Sequence, residues 1–93
     1  MFVRIYAHIS EKGKEEQGKS DLAKFSEEVD QSPESVASYK MVSQTNPANI
    51  TTVTIWKSKE AWQEWNDARK AKAKSGGAPT LWEKVEGDNF DTY

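Results

Sequence analysis

The chain opens on a strict alternation. From Met1 to Ser10, Val3, Ile5, Ala7 and Ile9 fall on one side, while Phe2, Arg4, Tyr6 and His8 fall on the other. This period of two predicts a β-strand. The charged run Glu11 to Lys19 holds two glycines and reads as a loop. A helix is then expected from Ser20, a good N-cap, with Asp21 suited to its positive end. Leu22, Phe25, Ser26 and Val29 share one face at helical spacing. Pro33 ends the helix, because the residue before a proline disfavours helical backbone.

A second strand is expected over 36–43 and a third over 50–56, the latter rich in β-branched residues. The turn between them, Thr45 to Asn49, is marked by its asparagines and proline, so the two strands should form an antiparallel hairpin. A second helix starts after Ser58 and runs to about Lys72, with Ala61, Trp62, Trp65 and Ala68 as its apolar stripe. Gly76 and Gly77 break the chain. Leu81, Trp82 and Val85 then suggest a short helix stopped at Gly87, with Asn89 to Tyr93 adding a last strand. The order β-α-β-β-α-β predicts an α+β, ferredoxin-like domain with an antiparallel sheet.

In such a domain both helices cover one face of the sheet. The aliphatic row Val3, Ile5, Ala7 and Ile9, joined by Val53 and Ile55, suits that covered face. The other face would carry Phe2, Tyr6, His8, Trp56, Thr52 and Thr54. It is too aromatic to be freely solvated, and such a patch usually marks an interface. Closed twofold dimers are the commonest solution, so a homodimer through the sheet face is expected.

Length and charge narrow the classes. The 93 residues fit one domain, 1–93, with a small core. The absence of cysteine excludes disulfides and thiol chemistry, and fits the cytoplasm. A net charge of −2 argues against nucleic-acid binding. No secretory leader or membrane span is apparent at the sequence level. The sequon Asn49-Ile50-Thr51 reads as a chance match.

The segment Trp56-Lys57-Ser58-Lys59-Glu60-Ala61-Trp62, continuing to Trp65, resembles the antibiotic-biosynthesis-monooxygenase-like domains of the dimeric α/β-barrel superfamily, which include haem-degrading monooxygenases. The resemblance implies that the domain pairs as a dimeric α/β barrel. It also implies a ligand pocket between the sheet and the two helices. On the expected face assignment its walls are Ile5, Ala7, Phe25, Val53, Trp62, Trp65 and Trp82, with Trp82 as a lid or an anchor.

The resemblance carries over unevenly to the catalytic positions. Trp65 matches the tryptophan with which the haem-degrading members press on the porphyrin. Their iron-binding histidine, about ten residues on, has no counterpart near Ser75. Their helix-facing asparagine on the first strand would fall at Ile5 or Ala7. His8, the only histidine, is expected on the dimer-facing side. It or Tyr6 could act as a base only if the two faces were exchanged.

The paired carboxylates Glu15-Glu16, Glu27-Glu28 and Glu60/Glu64 read as solvated surface, and no metal-ligand spacing is present. Three functions follow. The first is a small monooxygenase-type enzyme without a cofactor, acting on an apolar aromatic or quinone-like substrate. The second is a non-catalytic dimeric module for a small apolar ligand. The third is a haem-binding or haem-degrading protein with an atypical iron ligand. Trp65, His8 and Tyr6 are the catalytic candidates.

Overall fold

The computed structural model describes residues 1–72 and 81–93. The elements are β1 (Phe2–Ser10), α1 (Glu15–Asp30), β2 (Ser35–Val42), β3 (Asn49–Trp56), α2 (Lys59–Lys72) and β4 (Trp82–Asp91). They form a four-stranded sheet in the order β2-β3-β1-β4, with every adjacent pair antiparallel. This is the expected βαββαβ, ferredoxin-like arrangement. Gly76 and Gly77 lie outside the described residues.

Two expected elements differ. The helix α1 begins at Glu15, five residues before the expected Ser20. Gly13, at φ +83°, makes the tight turn that leads into it, and Glu15 and Glu16 complement the positive end of the helix. Gly18 therefore lies inside the helix. There the indole of Trp82 occupies the space that a side chain would take, since a Cβ would sit 2.7 Å from the ring.

The second difference is at the C-terminal end. Leu81 to Gly87 do not form a helix, because the segment from Trp82 pairs along the whole of β1 as one long strand. Gly87 sits within that strand, opposite Tyr6. It is no helix stop. The long β1–β4 pairing outweighs the short helical spacing of Leu81, Trp82 and Val85.

The covered face is also the reverse of the one expected. Phe2, His8 and Ser10 of β1 are buried, as are Ile50, Thr52, Thr54 and Trp56 of β3. Both helices therefore lie on the Phe2–Arg4–Tyr6–His8 side. Phe2, Val29, Trp56 and Trp62 form the core cluster, with Phe25 and Trp65 packed against it.

The aliphatic row is left uncovered. Ile5 lies between Val53 and Asp88, and Val53 between Ile5 and Tyr39, on a face that also carries Phe90 and Met41. Strand alternation separates two faces but does not say which one the helices cover. Here the aromatic stripes of α1 and α2 pack on the aromatic and threonine-rich face instead.

Local interactions fix the frame. Ser58 Oγ accepts a hydrogen bond from the Ala61 backbone N–H and caps α2 (3.1 Å). Ser43 Oγ accepts from the Thr45 and Asn46 N–H groups and closes the β2–β3 turn. Trp56, fully buried, donates its Nε1–H to Thr54 Oγ1 (2.9 Å), which satisfies its one polar group.

Candidate functional site

The exchange of faces brings the chemistry-bearing residues of β1 under the helices. His8 is 9% exposed. Its Nδ1 lies 3.2 Å from the Ile50 carbonyl oxygen. A carbonyl only accepts, so Nδ1 carries the proton and Nε2 keeps a lone pair. The imidazole stacks obliquely on Trp82 (4.9 Å between centroids) and lies beside Tyr6 (5.6 Å).

Burial pushes the His8 pKa below its ordinary value. Hydrogen bonds to the backbone of Ile50 and Tyr6 and the negative charge of Asp21 oppose that shift. The result is an imidazole that favours its neutral form at pH 7, in one tautomer, with a lone pair on Nε2.

Arg4 occupies the other end of the same row. Its guanidinium lies over the Tyr6 ring (4.1 Å) and near the Trp62 ring (5.0 Å). Nη1 donates to Asn89 Oδ1 on β4. Gly87 makes this possible, because a Cβ there would stand 2.5 Å from Arg4 Nη2 and 2.8 Å from Tyr6 Cε1. A glycine inside a strand is costly, and close approach of another group is its usual reason.

Arg4 Nε is buried without a partner, as are Ser10 Oγ and Ser26 Oγ. Such orphans are few in folded proteins, and each asks for an explanation. The helix-facing surface of β1 and β4 thus runs from Trp82 and His8, past Tyr6 and Gly87, to Arg4, Asn89 and Trp62.

A second concavity lies between the C-terminal half of α1 and α2. It is a cleft of about 610 Å³ lined by Glu28, Gln31, Ser32, Pro33, Trp65, Ala68, Arg69 and Lys72. Trp65 packs on Trp56 (5.2 Å) and edge-on to Phe25 (5.7 Å). Arg69 spans the helices, with Nε 2.7 Å from Glu28 Oε2, and its guanidinium lies over Phe25 (5.0 Å).

The expected pocket residues therefore divide. Phe25, Trp62, Trp65 and Trp82 are on the helix side. Ile5, Ala7 and Val53 are on the open face, where Ile5 and Ala7 line a shallow groove with Phe90. His8 and Tyr6, expected to face a partner, are on the helix side instead.

Arg4, Gly87 and Asn89 were not anticipated. The signal for Arg4 was a charged residue in register with Tyr6 and His8. Gly87 was hidden by the helical reading of its segment, whereas Asn89 was expected in the last strand but without a role at the site. Among the described residues, no cluster of histidine, cysteine, aspartate or glutamate could hold a metal ion. None of their helices is long and apolar enough to cross a membrane.

No family model matches the sequence, and no curated protein matches it either. Solved structures do match in architecture. The haem degrader MhuD from Mycobacterium tuberculosis, with two haems in its active site, superposes at a TM-score of 0.78. It is 20% identical, over 99% of this chain and 95% of that one. A candidate antibiotic biosynthesis monooxygenase from Nitrosomonas europaea gives a TM-score of 0.81 at 16% identity, over 99% and 98% of the two chains. The fold is that of the antibiotic-biosynthesis-monooxygenase-like proteins.

A mutant of SnoaB, a cofactor-independent oxygenase from Streptomyces nogalater, shares this monooxygenase-like fold too. It gives a TM-score of 0.74 at 14% identity, over 98% and 92% of the chains. The likeness first seen in Trp56 to Trp65 thus extends along the whole chain as architecture. Proteins with this monooxygenase-like fold include both haem-handling and cofactor-independent oxygenases.

Proposed function

We propose that the chain is a small cofactor-independent, monooxygenase-type enzyme for an apolar aromatic substrate of the quinol or anthrone kind, with His8 as its base. The observation that carries this reading is the buried, neutral imidazole with Nδ1 committed to the Ile50 carbonyl. Its Nε2 can take the proton of an acidic hydroxyl or enol. The resulting electron-rich anion can then reduce oxygen itself. For an anthrone, one methylene and one O2 give one ketone and one water. Trp82 and Tyr6 flank the imidazole and would keep bulk water from it. SnoaB, a cofactor-independent oxygenase of the same fold, supports the reading.

The test is oxygen uptake with an anthrone. One O2 per substrate is expected, with a loss of about 10²-fold or more in His8→Gln. Saturable binding without uptake would replace the enzyme with a ligand-binding module.

Haem is the second reading, favoured by Trp65 on the inter-helix cleft and by MhuD. The donor set does not fit it. The only imidazole is buried against Trp82 and does not line that cleft.

We further propose that the chain forms a homodimer through the open sheet face. Tyr39 (56% exposed), Met41 (45%) and Phe90 (47%) lie there beside Ile5 and Val53. A contiguous apolar patch of this kind marks an interface. The surface differs from the one expected, but the reason for pairing is the same. A cytoplasmic setting, in keeping with the cysteine-free sequence, belongs to the same proposal.

A further inference from the structure

We propose that Arg4 is the binding site for an anionic oxygen carried by the planar aromatic ligand of this protein. The inference rests on the ligand site of the preceding section and adds the charge that the ligand bears there.

Three observations carry it. No ion pair joins Arg4 to a carboxylate among the described residues; the guanidinium meets only the amide of Asn89 and two aromatic rings. Asp91 lies on the same face of β4, but opposite Phe2. A half-buried cation without a counter-charge is costly, and the cost is ordinarily met by a partner. Second, Nε is buried and unpartnered, so part of the donor fork is unused. Third, Gly87 gives up its side-chain space to the guanidinium and the Tyr6 ring, which seats Arg4 in this row.

The spacing suits the chemistry. Arg4 and His8 are four residues apart on one strand face, or roughly 13 Å between Cα atoms. Tyr6 stands between them, its ring 4.1 Å from the guanidinium and 5.6 Å from the imidazole, so a two- or three-ring aromatic that met both would lie across the Tyr6 ring. One end would meet the lone pair of His8 and the other the charge of Arg4. Guanidinium also stacks well on aromatic faces while it binds an oxyanion. If Arg4 were only a structural plug between Tyr6 and Trp62, it would show no preference for charged ligands.

The experiment uses matched probes and tryptophan fluorescence quenching on the whole chain. 2-Hydroxy-1,4-naphthoquinone, an anion at neutral pH, is compared with its neutral 2-methoxy analogue. 2-Naphthoate is compared with its methyl ester. The first pair reads a ring-bound enolate oxygen and the second a carboxylate.

The native protein is expected to favour the anion of at least one pair by about tenfold. Arg4→Gln should abolish that preference, and Arg4→Lys should keep part of it. Circular dichroism checks the fold of both variants. Should Arg4→Gln not fold, the native preference and its reduction in Arg4→Lys still decide the matter. Equal affinity for anion and neutral partner, or a preference that survives Arg4→Gln, overturns the role of Arg4 and leaves the ligand site standing. No binding of any probe overturns the ligand site as well.

Discussion

The indole of Trp82 fills the space where a side chain at Gly18 would stand, so that β4 meets the first turns of α1 through this one ring. The same indole packs on His8. One glycine in a helix thus allows a tryptophan from the far end of the chain to cover the only imidazole.

Gly18→Ala should therefore displace Trp82. An alanine in a helix interior gains up to about 1 kcal/mol over glycine. Forcing a methyl against a packed ring costs about 1–3 kcal/mol. The net expectation is a loss of about 1 kcal/mol in urea unfolding, where helix propensity alone predicts a gain. With the indole moved, His8 should be better solvated, and its pKa should rise toward the ordinary value. NMR titration of the single imidazole checks this directly.

His8 also sets a pH dependence of stability. Its folded-state pKa is lowered, chiefly by burial, so in the window below about 6.5 the unfolded chain binds more protons than the folded one. Stability is then full above that value and falls as the pH drops toward the folded pKa. Urea midpoints measured at pH 7.5 and 5.5 should differ more for the native chain than for His8→Gln. Equal differences would show that the carboxylates alone set the slope.

The core beneath Trp65 and the ion pair across the inter-helix cleft should differ sharply in energetic weight. Trp56 is fully buried and bonded to Thr54, so Trp56→Ala should cost about 3–5 kcal/mol. Arg69 and Glu28 are 43% and 52% exposed at their side chains. Solvent screens such a pair, and Arg69→Ala should cost no more than about 1 kcal/mol. Thermal melts of the two variants test the contrast.

The pattern of residues made the elements legible to different degrees. Alternation in β1 and β3, and the stripe of Trp62 and Trp65, were strong enough to give the element order and the fold. Alternation is symmetric, however, and the aliphatic row Val3–Ile5–Ala7–Ile9 looks like core from either side. What decides the face is the helix stripe that must pack on it. Phe25, Trp62 and Trp65 are large aromatic residues, and they pair with Phe2 and Trp56 rather than with small aliphatic side chains. Gly18 and Gly87 misled for one reason. Each read locally as a loop or stop signal, whereas each makes room for a side chain from a distant part of the chain. Arg4 was hidden with the face, and the role of Asn89, expected in a strand, was hidden with its partner Arg4.

The uncovered aliphatic face leads to the last prediction. Val53 stands at its centre, paired with Ile5 of β1 on one side and Tyr39 of β2 on the other. If two copies bury this face against each other, a lysine at position 53 places an unpaired charge in the dry middle of the interface, which is strongly unfavourable. On the free monomer the same lysine would point into water and cost little. Val53→Lys should therefore elute as a 10.5 kDa monomer, whereas the native chain should elute as a dimer. The native melting temperature should fall on dilution, because assembly stabilises the folded chain by mass action. That of Val53→Lys should not depend on concentration. Light scattering after gel filtration reads the mass directly. A native chain that is monomeric, with a melt independent of concentration, would mean that the face is covered by something other than a second copy.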